Sequence, residues 1–143
     1  MRKNSIYGLI LIFGMTLLGM SCQEEIVDVD LTLNTWKVEK IKRRGSGSFE
    51  KTENTYFLKF RNDSTLTIGL EVNTCIGHYS IPQAGNIEIA SIGCTKACCD
   101  SEYAEALIQL FQNVTDYYLK GEELYMEGDG EIVLIQIVAR CGN

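Results

Sequence analysis

Residues 55–70 read TYFLKFRNDSTLTIGL, and this stretch decides the fold. Its apolar side chains recur at every second position on both sides of a turn signal, Asn62-Asp63-Ser64. The alternating residues are Tyr56, Leu58 and Phe60 before the turn, and Leu66, Ile68 and Leu70 after it. A period of two is typical of half-buried strands, so the stretch predicts an antiparallel hairpin.

The same period continues on both sides of this hairpin. A strand is predicted from Trp36, and a second hairpin at 75–81 and 86–92, broken by Pro82-Gln83-Ala84-Gly85. Near the C-terminus, strands are predicted at 116–119, 124–127 and 132–138, the last two separated by Gly128-Asp129-Gly130. The last strand is apolar on both faces, which is typical of a central strand covered by the sheet interior on one side and a helix on the other.

The period changes only once, after Asp100. Tyr103, Leu107, Leu110, Phe111 and Val114 follow at helical spacing, which predicts one amphipathic helix of about fifteen residues. Asp100 or Ser101 can cap it, and Glu102 and Glu105 suit its N-terminal end. The pattern favours a mainly β (α+β) fold: a strongly curved antiparallel sheet or small barrel of about eight strands with one packed α-helix.

The first residues predict export. Arg2 and Lys3 precede an apolar run from Ile6 to Leu18, and Gly19-Met20-Ser21-Cys22 follows. This pattern is typical of a secretory signal and resembles the lipobox of bacterial lipoproteins, although Gly19 stands where leucine is usual. We therefore predict a lipoprotein signal peptide at 1–21 and lipidation of Cys22. The alternative is ordinary cleavage near Ser21, which leaves a soluble secreted protein.

Three parts follow from these boundaries: the signal peptide, an acidic tether at 22–30, and a single domain at 31–143. Gln23-Glu24-Glu25 is similar to acidic export signals of surface-exposed lipoproteins in some Gram-negative lineages. The expected location is the cell envelope, with the chain lipid-anchored to the outer membrane and possible exposure on the cell surface.

The mature chain is acidic, and its charge restricts the partners. Without Arg2 and Lys3 it has 11 basic against 19 acidic residues, a net charge of −8. This balance argues against nucleic acid and against peripheral binding to anionic lipid. One basic cluster, Lys37, Lys40, Lys42, Arg43 and Arg44, could receive an anionic polysaccharide or head group, but such a run is more often the solvated end of a strand.

The cysteines predict a disulfide framework, because exported thiols tend to be oxidised. Besides Cys22, the candidates are Cys75, Cys94, Cys98, Cys99 and Cys141. Cys98 and Cys99 are adjacent, and we do not expect them to bond each other. Cys75 can reach Cys94 across the second hairpin if Gly93 sits in a bulge, and otherwise Cys98 or Cys99 is an equal partner.

Catalytic and metal sites have weaker support in the sequence. Cys75-x-x-His78 with Cys94-x-x-x-Cys98-Cys99 has zinc-like spacing, but the oxidising compartment favours disulfides. His78 is the sole histidine and more often would be an exposed hairpin residue than a general base. No phosphate-binding glycine loop or serine elbow is present, so we expect no enzyme, no cofactor and no metal.

Several of these residues together resemble the META domain family, which includes HslJ-like heat-shock lipoproteins. The similarity covers about residues 33–137. It rests on Trp36, on Asn73 with Gly77-x-Tyr79, on Thr95-x-x-x-Cys99, and on the late pair around Tyr118 and Leu124. The resemblance implies a small antiparallel barrel with a packed helix, no established catalytic activity, and a link to envelope stress and antibiotic tolerance.

The sequence departs from the family at one place. Val72 stands where the family usually has cysteine before Asn73, and a cysteine follows instead at Cys75. The family pairing implies a bridge from Cys75 to Cys99, or its replacement by another pair. The departure affects the assignment of the bridge and leaves the fold unchanged.

Three functions are therefore open. The first is a non-enzymatic envelope lipoprotein that binds a protein or glycan partner or supports stress tolerance. The second is a carrier of a small apolar ligand in a lipocalin-like barrel, although the bulky inward residues of the first hairpin more often fill a core. The third is a thiol-redox protein that uses Cys98, Cys99 and Cys141.

Overall fold

The computed structural model describes residues 29–137 and confirms a mainly β fold with one helix. A short 3-10 turn at Leu31–Leu33 precedes the first strand. The strands are β1 (Thr35–Lys42), β2 (Glu50–Lys51), β3 (Phe57–Phe60), β4 (Thr65–Gly69), β5 (Thr74–Ser80), β6 (Glu88–Cys94), β7 (Val114–Lys120), β8 (Glu123–Gly128) and β9 (Glu131–Gln136). The helix α1 spans Glu102–Gln112, between β6 and β7.

All the strands belong to one strongly curled antiparallel sheet. Its order is β6-β5-β4-β3-β1-β9-β8-β7, with the two-residue β2 pairing beside β1. The curl brings the two edges together just before β6, where Asn86 bridges to Asp116. There the Ile87 N–H donates to the Thr115 carbonyl over 2.9 Å, and the Tyr117 N–H donates to the Gly85 carbonyl over 2.8 Å. The sheet is thus a half-barrel whose edges meet at one point.

The hairpin predicted within residues 55–70 forms from β3 and β4. Phe57 pairs with Gly69 and Phe60 with Leu66. The turn is held by Asp63, whose Oδ1 accepts hydrogen bonds from the Thr65 N–H over 3.1 Å and from the Thr65 hydroxyl over 2.5 Å. The core-facing residues of this hairpin are Leu58, Phe60, Leu66 and Ile68. The Asp63 turn and the burial of these side chains both require the same strand register.

The helix is shorter than predicted. Ser101 is its N-cap and accepts from the Ala104 N–H, as expected, but the helix ends at Gln112 with Asn113 as the C-cap. Val114 is buried at the start of β7. Val114 lies at a helical spacing from Phe111 although it belongs to a strand, so the apolar pattern ran past the end of the helix. The predicted helix length of about fifteen residues was therefore wrong, since the helix has 11.

The helix crosses one end of the half-barrel. Its N-cap Ser101 donates its backbone N–H to Glu71 in the β4–β5 turn, and its C-cap Asn113 lies against Gly128 at the end of β8. Ala104, Leu107 and Phe111 turn inward and are fully buried. No helix within residues 29–137 has the length and apolar character needed to cross a membrane.

The opposite end of the half-barrel is covered by the segment that enters it. Val29 is 9% exposed and Leu31 is 1% exposed, and the Leu31 carbonyl accepts from the indole N–H of the buried Trp36 over 3.2 Å. Asp30 caps the 3-10 turn. Val29 and Asp30 therefore pack with the folded domain, whereas the predicted tether extended to residue 30.

The interior is filled by bulky side chains. The largest fully buried ones include Trp36, Tyr56, Phe60 and Phe111, with Leu and Ile side chains between them. β9 lies between β1 and β8 and contacts α1, as expected for a central strand. Such close packing of the described residues leaves little interior space for a ligand.

Candidate functional site

The first disulfide joins Cys75 on β5 to Cys94 on β6, with a Cα–Cα distance of 3.9 Å. Between the pairs Ile76–Gly93 and His78–Ala90 the register shifts by one residue, and Ser91 has a φ of 53°. The bulge required for this pairing is thus present, at Ser91 rather than at Gly93. It returns Cys94 to the face of the buried Cys75.

The structure also pairs Cys98 with its neighbour Cys99, whereas the sequence did not lead us to expect a bond between these two residues. The family-implied bridge from Cys75 to Cys99 is replaced by these two pairs. Cys22 and Cys141 lie outside the described residues.

Asn73 organises the corner where the first disulfide meets the helix. It is 7% exposed. Its Nδ2 donates to the Ala97 carbonyl over 2.7 Å and to Asp100 Oδ2 over 2.6 Å. Its Oδ1 accepts from the Thr95 hydroxyl over 2.7 Å and from the Ala97 N–H over 2.8 Å. The structure therefore brings the family residues Asn73 and Thr95 together, where they hold the loop 95–100 onto the sheet.

Glu71 holds the helix start to the same corner. Its Oε1 accepts from Asn54 Nδ2 over 2.6 Å and from the Tyr56 hydroxyl over 2.5 Å, and its Oε2 accepts from the Ser101 N–H over 3.1 Å. Partial burial raises the pKa of Glu71, but the hydrogen bonds from Ser101, Tyr56 and Asn54 outweigh it and lower that pKa to about 2. The carboxylate is therefore ionised at neutral pH and serves as a structural anchor.

The other family residues support the sheet. Gly77 lies close to Ile92, since an added Cβ would come within 3.1 Å of its Cγ1. Tyr79 packs edge-on against Phe60 with ring centroids 4.9 Å apart, and its hydroxyl donates to the Arg61 carbonyl over 2.8 Å. Burial raises the pKa of Tyr79 above its ordinary value, so it stays a donor. Together with Trp36, these side chains have packing roles.

The zinc-like spacing does not assemble a site in the part of the chain that is described. Cys75 and Cys94 bond each other, and so do Cys98 and Cys99. His78 is exposed on β5. Among residues 29–137, no group of three or more His, Cys, Asp and Glu is placed to hold a metal ion.

The basic cluster lies on β1 and in the loop after it. Arg43 pairs with Glu50 at 3.1 Å, and Arg44 lies 3.8 Å from Asp129 across a groove of about 310 Å³. Lys40 and Lys42 place their Nζ atoms 5.0 and 5.6 Å from the centre of the Phe49 ring. Because carboxylates neutralise both arginines, the cluster is a mixed surface rather than a purely cationic one.

A row of side chains crosses the outer face next to this cluster. Tyr118 pairs with Tyr125, Tyr125 with Val133, and Val133 with Lys40, on four neighbouring strands. The two tyrosine rings stack with centroids 5.1 Å apart and planes 6° apart. We name Tyr118, Tyr125, Val133, Lys40 and Phe49 the outer strip.

Acidic side chains lie along the tyrosine half of the outer strip. The Tyr118 hydroxyl donates to Glu127 Oε1 over 2.8 Å, and the Tyr125 hydroxyl donates to Glu123 Oε2 over 2.6 Å. The bond to Glu123, helped by desolvation, raises the pKa of Tyr125 to about 12. Desolvation and the bond to Glu127 also raise the pKa of Tyr118. Both rings therefore remain neutral, and their carboxylate partners retain capacity to accept further hydrogen bonds.

The outer strip was not predicted as a unit. The signal was present, because a turn at Gly121 places Tyr118 opposite Tyr125 once the hairpin register is counted from Lys120 and Glu123. Phe49 gave no such signal, since it lies in the loop between β1 and β2.

Comparisons with known proteins agree with this fold. A DUF4847 family protein from Bacteroides vulgatus, known from a crystal structure, superimposes with a TM-score of 0.56 at 14% identity, covering 74% of this chain and 94% of that one. At that identity the likeness concerns the fold alone. No curated protein matches the chain in sequence. The META domain family model matches residues 29–139, so the chain belongs to the META domain family.

Proposed function

We propose that this META domain protein is exported, anchored to the outer membrane through lipid on Cys22, and acts by binding an envelope glycan on the outer strip without catalysing a reaction. Export and lipidation are supported by the signal pattern of residues 1–22. Any role in envelope stress tolerance would follow from this binding.

The observation that carries the proposal is the stacked pair Tyr118–Tyr125 with its two carboxylates. Aromatic rings offer apolar surface to the C–H faces of sugars, and carboxylates accept hydrogen bonds from sugar hydroxyls. Phe49, which is 37% exposed, adds apolar surface at the other end of the strip, and Lys40 adds a donor, whereas Val133 between the two halves is fully buried. This mixture of rings, acceptors and donors suits a polyhydroxylated polymer better than a purely apolar ligand.

The packed interior favours this outer surface over an internal carrier site. Five of the six inward candidates for a ligand pocket are at most 1% exposed and belong to the core cluster, and the sixth, Leu70, packs against it; the five are Tyr56, Leu58, Phe60, Leu66 and Ile68. A bound apolar molecule would have to displace them.

The test compares the wild-type protein with Y118A/Y125A on an array of bacterial polysaccharides. Ile76→Ser is the matched control, because Ile76 is 58% exposed on a different part of the outer face. We expect binding by the wild type and I76S, and at least a tenfold loss with Y118A/Y125A. Equal binding by all three proteins, or capture of an envelope protein with no polysaccharide bound, would contradict a glycan site on the strip.

The anchor is tested separately by the intact mass of the protein extracted from membranes. We expect a chain that starts at Cys22 and carries the added mass of lipid. Full-length, unacylated protein in the cytosol would contradict export and anchoring.

Thiol–disulfide exchange is a second candidate, favoured by the exposure of Cys98 and Cys99. A small dithiol would pass two electrons to this pair, becoming a disulfide while the Cys98–Cys99 bond breaks into two thiols. The reduced pair would then reduce a disulfide in insulin. Turnover above that of the dithiol alone, lost in C98S/C99S, is the expected result, and no turnover would dispose of this candidate.

A further inference from the structure

Exposed apolar side chains gather at the end of the half-barrel where the chain enters. Four of the large exposed apolar residues lie there: Leu33 at 77%, Ile81 at 40%, Ile137 at 43% and Leu119 at 36% exposed. Leu33 ends the 3-10 turn, between the buried Leu31 and the first strand. A leucine exposed to this degree, at the same end as three other exposed apolar residues, indicates a contact surface.

Strand registers place these residues at one end. Thr35 at the start of β1 pairs with Lys59 near the end of β3, and Trp36 pairs with Gln136 at the end of β9. The Ile137 N–H donates to the Thr35 carbonyl over 2.8 Å. Ile81, which follows β5, lines a groove together with Val29 to Thr32. We name Leu33, Ile81, Leu119 and Ile137 the entry patch.

The distance to Cys22 limits where the bilayer can lie. Six residues lie between Cys22 and Val29, so seven Cα–Cα steps connect the two. Fully extended, these steps span at most about 25 Å. A compact domain of this size has a diameter of about 34 Å, so the tether is too short to lead around the domain to its far side. The entry patch is therefore the apolar surface nearest to a lipid on Cys22.

We propose that the entry patch docks on the lipid bilayer, with Leu33 and Ile81 in contact with the acyl-chain boundary. This inference rests on the proposed lipidation of Cys22. Apolar side chains add their own membrane affinity to that of a lipid anchor. The helix, the loop 95–100 and the exposed Val72 lie at the opposite end and face away from the membrane.

The test uses tryptophan fluorescence of the acylated chain that starts at Cys22, in vesicles of phosphatidylethanolamine and phosphatidylcholine, part of which carries bromine on the acyl chains. The wild type contains one tryptophan, the buried Trp36, and supplies the background. L33W and I81W place an indole in the entry patch. V72W is the control, because Val72 is 49% exposed at the far end.

Flotation with the vesicles is measured first, since it reports the anchor alone. We expect all variants to float, and brominated lipid to quench the added indole of L33W and I81W but leave that of V72W unchanged. Protein that does not float would contradict the proposed anchoring. Floating protein in which L33W and I81W are quenched no more than V72W would overturn the docking of the entry patch while leaving the anchor intact. I81W carries the test if L33W does not fold.

Discussion

Replacing Asn73 with alanine should lower the free energy of unfolding markedly, because Asn73 is the one polar side chain that is buried among the described residues. The side chain is buried and makes four hydrogen bonds, three to neutral groups and one to the carboxylate of Asp100. At typical net values these bonds together set an upper bound of about 5 kcal/mol. Because Thr95 and Ala97 are exposed, water can replace some of these hydrogen bonds in the variant. We therefore expect N73A to lower the free energy of unfolding by about 3 kcal/mol.

The assay is urea unfolding of the oxidised mature protein, followed by the fluorescence of the buried Trp36. With a slope of about 1.5 kcal/mol per molar urea, a cost of 3 kcal/mol moves the midpoint down by about 2 M. Asn54→Ala is the matched control, since Asn54 is exposed and bonds Glu71 through one donor. Its expected cost is below about 1 kcal/mol.

The charged variant N73D adds a pH test to the same position. Its carboxylate would face the Ala97 carbonyl and Asp100, which the wild-type amide contacts as a donor. This repulsion raises the pKa of the new carboxyl in the folded state above its unfolded value of about 3.9, so the destabilisation grows as pH rises through that value and shrinks as pH falls. A midpoint for N73A within about 0.3 M of that for N54A, at equal slopes, would refute the structural role of Asn73.

Three further changes test the corner and the turns. Since the pKa of Glu71 is lowered to about 2, the stability advantage of the wild type over E71Q should be present above pH 4.5 and lost as the pH falls from 4.5 towards 2, which urea midpoints across that range will check. The Cys75–Cys94 bridge spans 19 residues, so C75S/C94S should cost about 3 kcal/mol in urea unfolding. The control C98S/C99S opens no such loop and should change the free energy of unfolding little. Equal losses in the two variants would contradict this expectation. An added Cβ at Gly128 meets the backbone carbonyl of Asn113, so G128A should lower the thermal midpoint with a cost of about 2 kcal/mol, while G93A, where the space is open, should be neutral.

Most strands could be predicted because their two faces have different environments. The alternation from Tyr56 to Leu70 leaves only one register that buries Leu58 and Leu66 together, and Asp63 supplies the turn. Where an apolar residue would be buried equally well in a helix and in a strand, the apolar pattern does not distinguish the two. Val114 is such a case, because it continues the helical spacing and also starts β7.

The sequence offered Cys94 as one partner of Cys75 but could not decide between it and Cys98 or Cys99, since that choice depends on local backbone geometry. The bulge at Ser91 carries no sequence signal, because serine has no preference for a positive φ comparable to that of glycine or asparagine. The Asn73 network was likewise visible only as a family motif. Its partners Thr95 and Asp100 lie 22 and 27 residues away, and no periodic pattern connects them.

The two proposed surfaces have compatible positions on the domain. Tyr118 lies near the end of β7, close to the entry patch, whereas Phe49 lies in the loop after β1 at the helix end. The outer strip therefore runs obliquely from the entry end of the half-barrel towards its helix end, over strands that together span about 14 Å. Docking of the entry patch would hold Tyr118 beside the bilayer and Phe49 away from it. A glycan that extends outward from the same membrane could then follow the strip along its length, so that a single short tether serves both to hold the domain and to align its binding surface.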